Sequence, residues 1–180
     1  SLYKKLSFNF IRDIAPVAGL VRTPNVMVVT NKLPVKTVAE FIAYCKANPS
    51  KVNMASSSSG TSTHLSGELF KSMTGCNMVH IPYKGAGPVL TDLIGGQVQV
   101  FFDNLPSSAG HIKAGSIRAL AVTSAAREPS FPDLPTVGDT VPGYEATAWF
   151  GVGMPKGTPR EAIEKMNSAI NRALADPKMR

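Results

Sequence analysis

Between residues 52 and 123 the chain repeats one arrangement. A short apolar run is followed by a turn of small or polar residues, then by an amphipathic stretch. Val52 to Met54 leads through Ala55–Thr61 to a helical pattern carrying Leu65, Leu69, Phe70 and Met73, with Gly75 at its stop. Met78 to Pro82 leads through Tyr83–Gly87 to Pro88, Val89, Leu90, Leu93 and Ile94, stopping at Gly95-Gly96. Val98 to Phe102 leads through Asp103-Asn104 to a short helix over 107–113 and a strand over 117–123. Strands that alternate with helices imply right-handed crossovers and a parallel sheet covered on both faces. The expected class is therefore α/β.

The flanks read differently. Residues 15–30 suggest two extended pieces meeting at Thr23-Pro24-Asn25. Thr37 and Glu40 form a capping box before a helix that buries Val38, Phe41, Ile42 and Cys45. From Arg127 to Thr147 four prolines interrupt the pattern, which marks an irregular hinge or wrap. Ala148 to Met154 reads as a strand. A second capping box, Thr158 to Glu161 with Pro159 at the first helical position, opens a last helix striped by Ile163, Met166, Ile170 and Leu174.

Nineteen Lys and Arg against twelve Asp and Glu give a net charge of +7, dispersed along the chain with only the Lys4-Lys5 pair adjacent. Nucleic-acid binders concentrate such charge on one stripe, so a nucleic-acid partner is not expected; a small anion suits a dispersed field better. Two cysteines, Cys45 and Cys76, are too few for a disulfide framework, and Cys45 reads as a buried free thiol. No apolar run approaches the roughly 20 residues of a membrane span, and no signal-type apolar segment follows Ser1. Elbow, dinucleotide, P-loop and HExxH motifs do not occur, so neither a cofactor nor a metal is expected. Both ends of the sequence read as cut rather than finished.

The binding argument comes from the turns. Ligands of open α/β sheets sit outside the carboxyl ends of the strands. Two of the expected strand ends, Ser56–Thr61 and Tyr83–Gly87, run directly into helix N-termini, which attract anions. The third carries Asp103 and Asn104. Gly60 and Gly85 let the backbone approach closely, the hydroxyls of Ser56, Ser57 and Thr61 add donors, and Lys84 adds charge. The plainer reading of each turn is ordinary cap chemistry, with Lys84 solvated and Asp103 capping the next helix. Two such turns on one edge bring the binding reading level with it.

These residues resemble a known family. Gly60-Thr61-Ser62-Thr63-His64-Leu65, Pro82-Tyr83-Lys84-Gly85, the stretch from Leu93 to Val98 with Phe102-Asp103, Phe131 to Thr136 and Trp149-Phe150-Gly151 are similar to the receptors of tripartite tricarboxylate transporters, the Bug type. The resemblance implies a periplasmic-binding-protein-like fold (type II, Venus flytrap), here with one nearly complete lobe over 32–121. Residues 1–31 and 122–180 would supply crossing segments and part of the first lobe. It implies a periplasmic receptor that captures a small carboxylate for membrane transporter subunits and is not an enzyme. Ser56, Ser57, Gly60, Thr61, Tyr83, Lys84, Gly85 and Asp103 would bind the ligand, joined by Ser58, His64, Asn104 and Trp149. Ser58 departs from the glycine usual in the family. Members are longer, so the chain reads as an internal portion. Two alternatives stay open: a carboxylate-metabolising enzyme using His64, His80 or Asp103, and the effector lobe of a regulator.

Overall fold

The computed structural model describes residues 5–179, so Lys4 of the basic pair and the two chain ends lie outside the described residues. The chain divides into two compact units, Thr23–Ala148 and the pair Ser1–Arg22 with Trp149–Arg180. The 32–121 span expected as one lobe lies inside the first of these.

The Thr23–Ala148 unit is built on a mixed sheet. Its strands are β2 (Val52–Ser56), β3 (Met78–Pro82), β4 (Val100–Asn104), β5 (Arg118–Val122) and the second half of β1 (Ile14–Val29). They stand in the order β3-β2-β4-β1-β5. The crossovers are α3 (Ser62–Thr74), α4 (Ala86–Gly95) and α5 (Leu105–Lys113), as the alternation predicts. β2 runs parallel to β3 and β4. The expectation of a wholly parallel sheet is corrected at β1, which is antiparallel to both β4 and β5. No crossover helix delivers this strand to the sheet, so nothing compels it to share its neighbours' direction. Nor is it two pieces: Pro24 sits inside one sixteen-residue strand.

The sheet has two apolar faces. Met27, Val29, Met54, Val100 and Phe102 pack with Phe41 and Cys45 of α2 (Val38–Ala47), Phe70 of α3, and Tyr144. Val26, Val28, Ala55 and Phe101 pack with Val89 and Leu93 of α4 and Leu105 of α5. Alternate residues along each strand therefore face opposite layers. Cys45 and Cys76 are free and buried in the first layer.

Three further expectations change. α3 buries Thr63, Ser66, Gly67 and Phe70, while Leu65, Leu69 and Met73 stay exposed. The small side chains let the helix axis come close to β2: a Cβ on Gly67 would overlap the Met54 sulfur. The proline-rich stretch is a packed wrap, with Val137, Val141 and Tyr144 in the core and a complete capping box from Thr136 to Asp139. The first capping box is shifted: Thr37 Oγ1 accepts from Glu40 N, but Glu40 reaches back to Lys36 N.

The other unit holds α1 (Phe10–Asp13), the first half of β1, all but the first two residues of β6 (Thr147–Pro155), which pairs with β1, and α6 (Arg160–Ala175). Pro159 is the N-cap of α6 rather than its first residue, and Thr158 Oγ1 turns back to the Pro155 carbonyl, so no second box forms. The stripe of α6 is not buried: Ile163, Ile170 and Leu174 are half-covered and Met166 is exposed. A groove of about 560 Å³, lined by Phe10, Ile14, Val17, Trp149 and Val152 among others, opens in this unit. Among the described residues no helix is long and apolar enough to cross a membrane.

Candidate functional site

The carboxyl ends of β2, β3 and β4 lie on one edge of the Thr23–Ala148 sheet, because the three strands are parallel. The register pairs Ser56 with Pro82, so the turns after β2 and β3 start level. Two backbone bonds then join them: Tyr83 N–H donates to the Ser56 carbonyl at 2.9 Å and Gly85 N–H to the Ser57 carbonyl at 2.7 Å. Ser56, Ser57, Ser58, Gly60, Thr61, Tyr83, Lys84 and Gly85 are thus brought into one cluster.

Within the first turn the hydroxyls are ordered by each other. Thr63 Oγ1 accepts from Ser57 N–H at 3.0 Å and lies 2.9 Å from Thr61 Oγ1 and 3.0 Å from Ser57 Oγ. Thr61 Oγ1 donates to the Ser58 carbonyl at 2.7 Å. Gly60, at φ 81°, makes the left-handed step that returns the chain to the helix. Its N–H donates to His64 Nδ1 at 3.0 Å. Ser56 is fully buried, with Oγ 2.7 Å from His80 Nε2 and 3.2 Å from the Ser58 carbonyl.

Both helices start without a side-chain cap. Thr61 at the N-cap of α3 and Gly85 at that of α4 make no capping hydrogen bond. The first-turn N–H groups of a 13-residue and a 10-residue helix therefore face the edge with their dipole charge unscreened by a side chain. In front of Gly85 and Gly87 the space is open. Lys84 is exposed beside them.

The second turn is anchored from behind. Tyr83 Oη donates to Asp92 Oδ2 of α4 at 2.6 Å, and burial with this bond pushes its phenol up to about 12. Its ring packs on the second apolar layer.

Asp103 and Asn104 part company. Asp103 is buried on the layer that holds Phe101 and accepts from Ser108 Oγ of α5 at 2.6 Å. Burial raises its carboxyl to about 6 against the opposing bonds from Ser108 and Asn104 N–H. Ser56 and His80 belong to the other layer, with Met54 and Met78, so the sheet stands between them and the Asp103 carboxylate. Asn104 faces α3: its Nδ2 donates to Asn25 Oδ1 at 2.8 Å, and Asn25 Nδ2 to Ser66 Oγ at 2.9 Å. Trp149 is in the other unit, largely exposed at the rim of the apolar groove.

Four residues outside the expected set help to build this edge. Thr63 holds Ser57 and Thr61, His80 holds Ser56, Asn25 holds Asn104, and Ser66 holds Asn25. Thr63 lies inside the quoted hydroxyl motif. Asn25 carries no local signal, since only the antiparallel register sets it opposite Asn104.

The sequence family described as the tripartite tricarboxylate transporter family receptor matches residues 1–180. Protein BugT of Bordetella pertussis is 39% identical over 175 residues, 97% of this chain and 54% of BugT. The chain spans about half the length of the curated relatives it matches. Among solved structures, R. palustris Rpa4515 with adipate superposes with a TM-score of 0.94 at 42% identity, over 98% of this chain and 60% of that one. MatC from Rhodopseudomonas palustris with bound malate superposes with a TM-score of 0.92 at 29% identity, over 99% and 61%. The mixed α/β sheet, its two βα turns and these similarities agree, and the chain belongs to the tripartite tricarboxylate transporter receptor family.

Proposed function

We propose that the edge formed by Ser56–Thr61 and Tyr83–Gly87 captures one carboxylate of a small organic acid, for delivery to the membrane subunits of a tripartite transporter. One observation carries the reading: two uncapped helix N-termini are tied side by side through Tyr83 N–H to Ser56 O and Gly85 N–H to Ser57 O. Anions are stabilised at such termini by unpaired N–H groups and by the dipole. Family membership and the adipate and malate in similar structures support a dicarboxylate. Ser57, Ser58, Gly60, Thr61, Lys84 and Gly85 would surround the anion. Ser56, Tyr83, His64 and Asn104 would hold its surroundings, and Asp103 would act from beneath β4.

The protein binds without turnover on this reading. Ser56 and His80 form the one serine–imidazole contact of the edge, but Ser56 is fully buried and beyond reach of a substrate carbonyl. Location in the periplasm follows from the same receptor role.

Titration calorimetry of the full-length protein with adipate, malate and their uncharged diamides, adipamide and malamide, tests the proposal. Binding of a dicarboxylate but not the amide, weakened about tenfold in Thr61→Ala, is expected. Equal affinity for acid and amide, or no binding by any acid, overturns it.

A further inference from the structure

Two imidazoles stand behind the hydroxyl turn, and anion capture by itself assigns them no task. His64, in the first turn of α3, and His80, on β3, stack with ring centroids 3.9 Å apart and planes 13° apart. Each ring holds a different point of the turn. His80 Nε2 meets Ser56 Oγ at 2.7 Å, and His64 Nδ1 accepts from Gly60 N–H at 3.0 Å. The segment is thereby pinned at its first residue and at the glycine that reverses its direction.

A backbone N–H can only donate, so His64 Nδ1 accepts, and Nε2 is the ring nitrogen left to carry a proton. That N–H faces Glu68 Oε1 at 3.7 Å. Glu68 is itself held by Lys71 Nζ, at 2.9 and 3.1 Å to its two oxygens. Lys71, Glu68 and His64 thus lie in line behind the backbone of the turn.

We propose that the His64–His80 stack is a positioning device for the turn, and that His64 holds Gly60 in place only while its Nδ1 carries no proton. The proposal rests on the reading that this turn binds a carboxylate. A proton on Nδ1 would set two N–H groups against each other across 3.0 Å, converting the bond at Gly60 into a repulsion. The charged groups facing the stack are Glu68 and Lys71 of α3 and each ring's partner. On His80, Glu68 favours the imidazolium and Lys71 opposes it. Burial, with the neighbouring His64, holds the His80 imidazole below its usual range. A proton on His64 also brings positive charge towards a bound anion, an attraction of opposite sign. That charge acts on the anion through the field, whereas the repulsion acts on Gly60 directly, across one hydrogen bond. Acidification therefore weakens binding.

Three variants of the full-length protein separate the parts of this argument, with adipate and malate as probes. His64→Asn keeps an acceptor near the Nδ1 position and cannot be protonated. His64→Phe keeps the stacked ring and loses the acceptor. His64→Gln moves its polar group outward, towards the Nε2 position. At pH 8, His64→Asn is expected to bind within about twofold of wild type, with His64→Phe and His64→Gln about three- to tenfold weaker, the worth of one hydrogen bond. From pH 8 to pH 5 wild type should lose affinity more steeply than His64→Asn. Ligand protonation affects both proteins alike and cancels in that comparison. Wild-type affinity in His64→Phe, or identical pH profiles for wild type and His64→Asn, overturns the proposal. Nitrogen-15 NMR of the wild-type imidazoles gives a readout that needs no ligand and no variant. An unprotonated Nδ1 on His64 at pH 8, with a Gly60 amide shift that moves as that nitrogen titrates, is expected. A protonated Nδ1 at pH 8 overturns the proposal. Failure of wild type to bind either acid, with the NMR result as expected, counts against carboxylate capture and leaves the positioning of the turn standing.

Discussion

Ser108 Oγ donates to Asp103 Oδ2 at 2.6 Å, and the pair is closed inside the protein between β4 and α5. A carboxyl raised to about 6 by burial binds its proton more tightly in the folded chain than in the unfolded one. The folded state then carries more protons between about pH 4 and pH 6, so stability is present below the unfolded value and is lost as the pH rises through the folded one. Asp103→Asn keeps an acceptor for Ser108 and removes the buried charge. Urea unfolding at several pH values should show wild type weakening by up to about 3 kcal/mol from pH 4 to pH 7.5, with the variant lacking this component. Parallel pH profiles would show that Asp103 titrates normally.

Gly67 faces Met54 so closely that a Cβ there would overlap the methionine sulfur. Met54 is fully buried and cannot swing into solvent. Gly67→Ala should cost about 1–3 kcal/mol despite alanine's better helix propensity. Adding Met54→Val should recover part of that loss, a coupling that a double-mutant cycle in urea measures. Independent, additive losses would place the strain elsewhere.

This contact also explains what the sequence concealed. The stripe Leu65, Leu69, Met73 and the true inward face of Thr63, Ser66, Gly67 and Phe70 both repeat at helical spacing. Hydrophobicity favoured the wrong one, because the inward face is chosen for how closely two backbones approach. Strand direction at β1 was hidden for a related reason: alternation of apolar residues is the same read either way, and only the partners fix the polarity. The βα turns were legible because their chemistry is local. The left-handed glycines Gly60, Gly75, Gly85 and Gly96 sit where the backbone needs them. The link between Ser56 and His80 spans 24 positions and arises only from the parallel register of β2 and β3. Asp103 shows the limit of reading a strand end from sequence. One residue's difference in phase sends its carboxylate below the sheet and the Asn104 amide above it.

Lys84 is exposed at the tip of its turn, so it acts on an anion through the field rather than through a fixed bond. Lys84→Ala should weaken dicarboxylate binding about two- to fivefold at low ionic strength, and the difference should fade by roughly 0.5 M salt. Titrations at two salt concentrations check this. A salt-independent loss would point to direct contact instead.

Tyr144 Oη donates to the Ser66 carbonyl at 3.0 Å inside the first apolar layer, and burial pushes its phenol above the usual range. Tyr144→Phe removes this donor from the proline-rich wrap and should lower stability by about 1 kcal/mol. Tyr144→Ala also removes the ring that packs edge-on against Phe70 and should cost about 3–5 kcal/mol. Thermal melts of both variants separate the hydrogen bond from the packing.

The division of the chain has a consequence for biosynthesis. The Thr23–Ala148 unit is one continuous stretch, whereas its companion is assembled from two stretches separated by that whole unit. On the ribosome, every strand of the central sheet has emerged by the time Ala148 clears the exit tunnel. The first half of β1 meets β6 only after Trp149 and the residues following it have emerged. Domains fold as units during synthesis. The candidate anion edge is therefore complete in a nascent chain in which the first half of β1 has yet to meet β6.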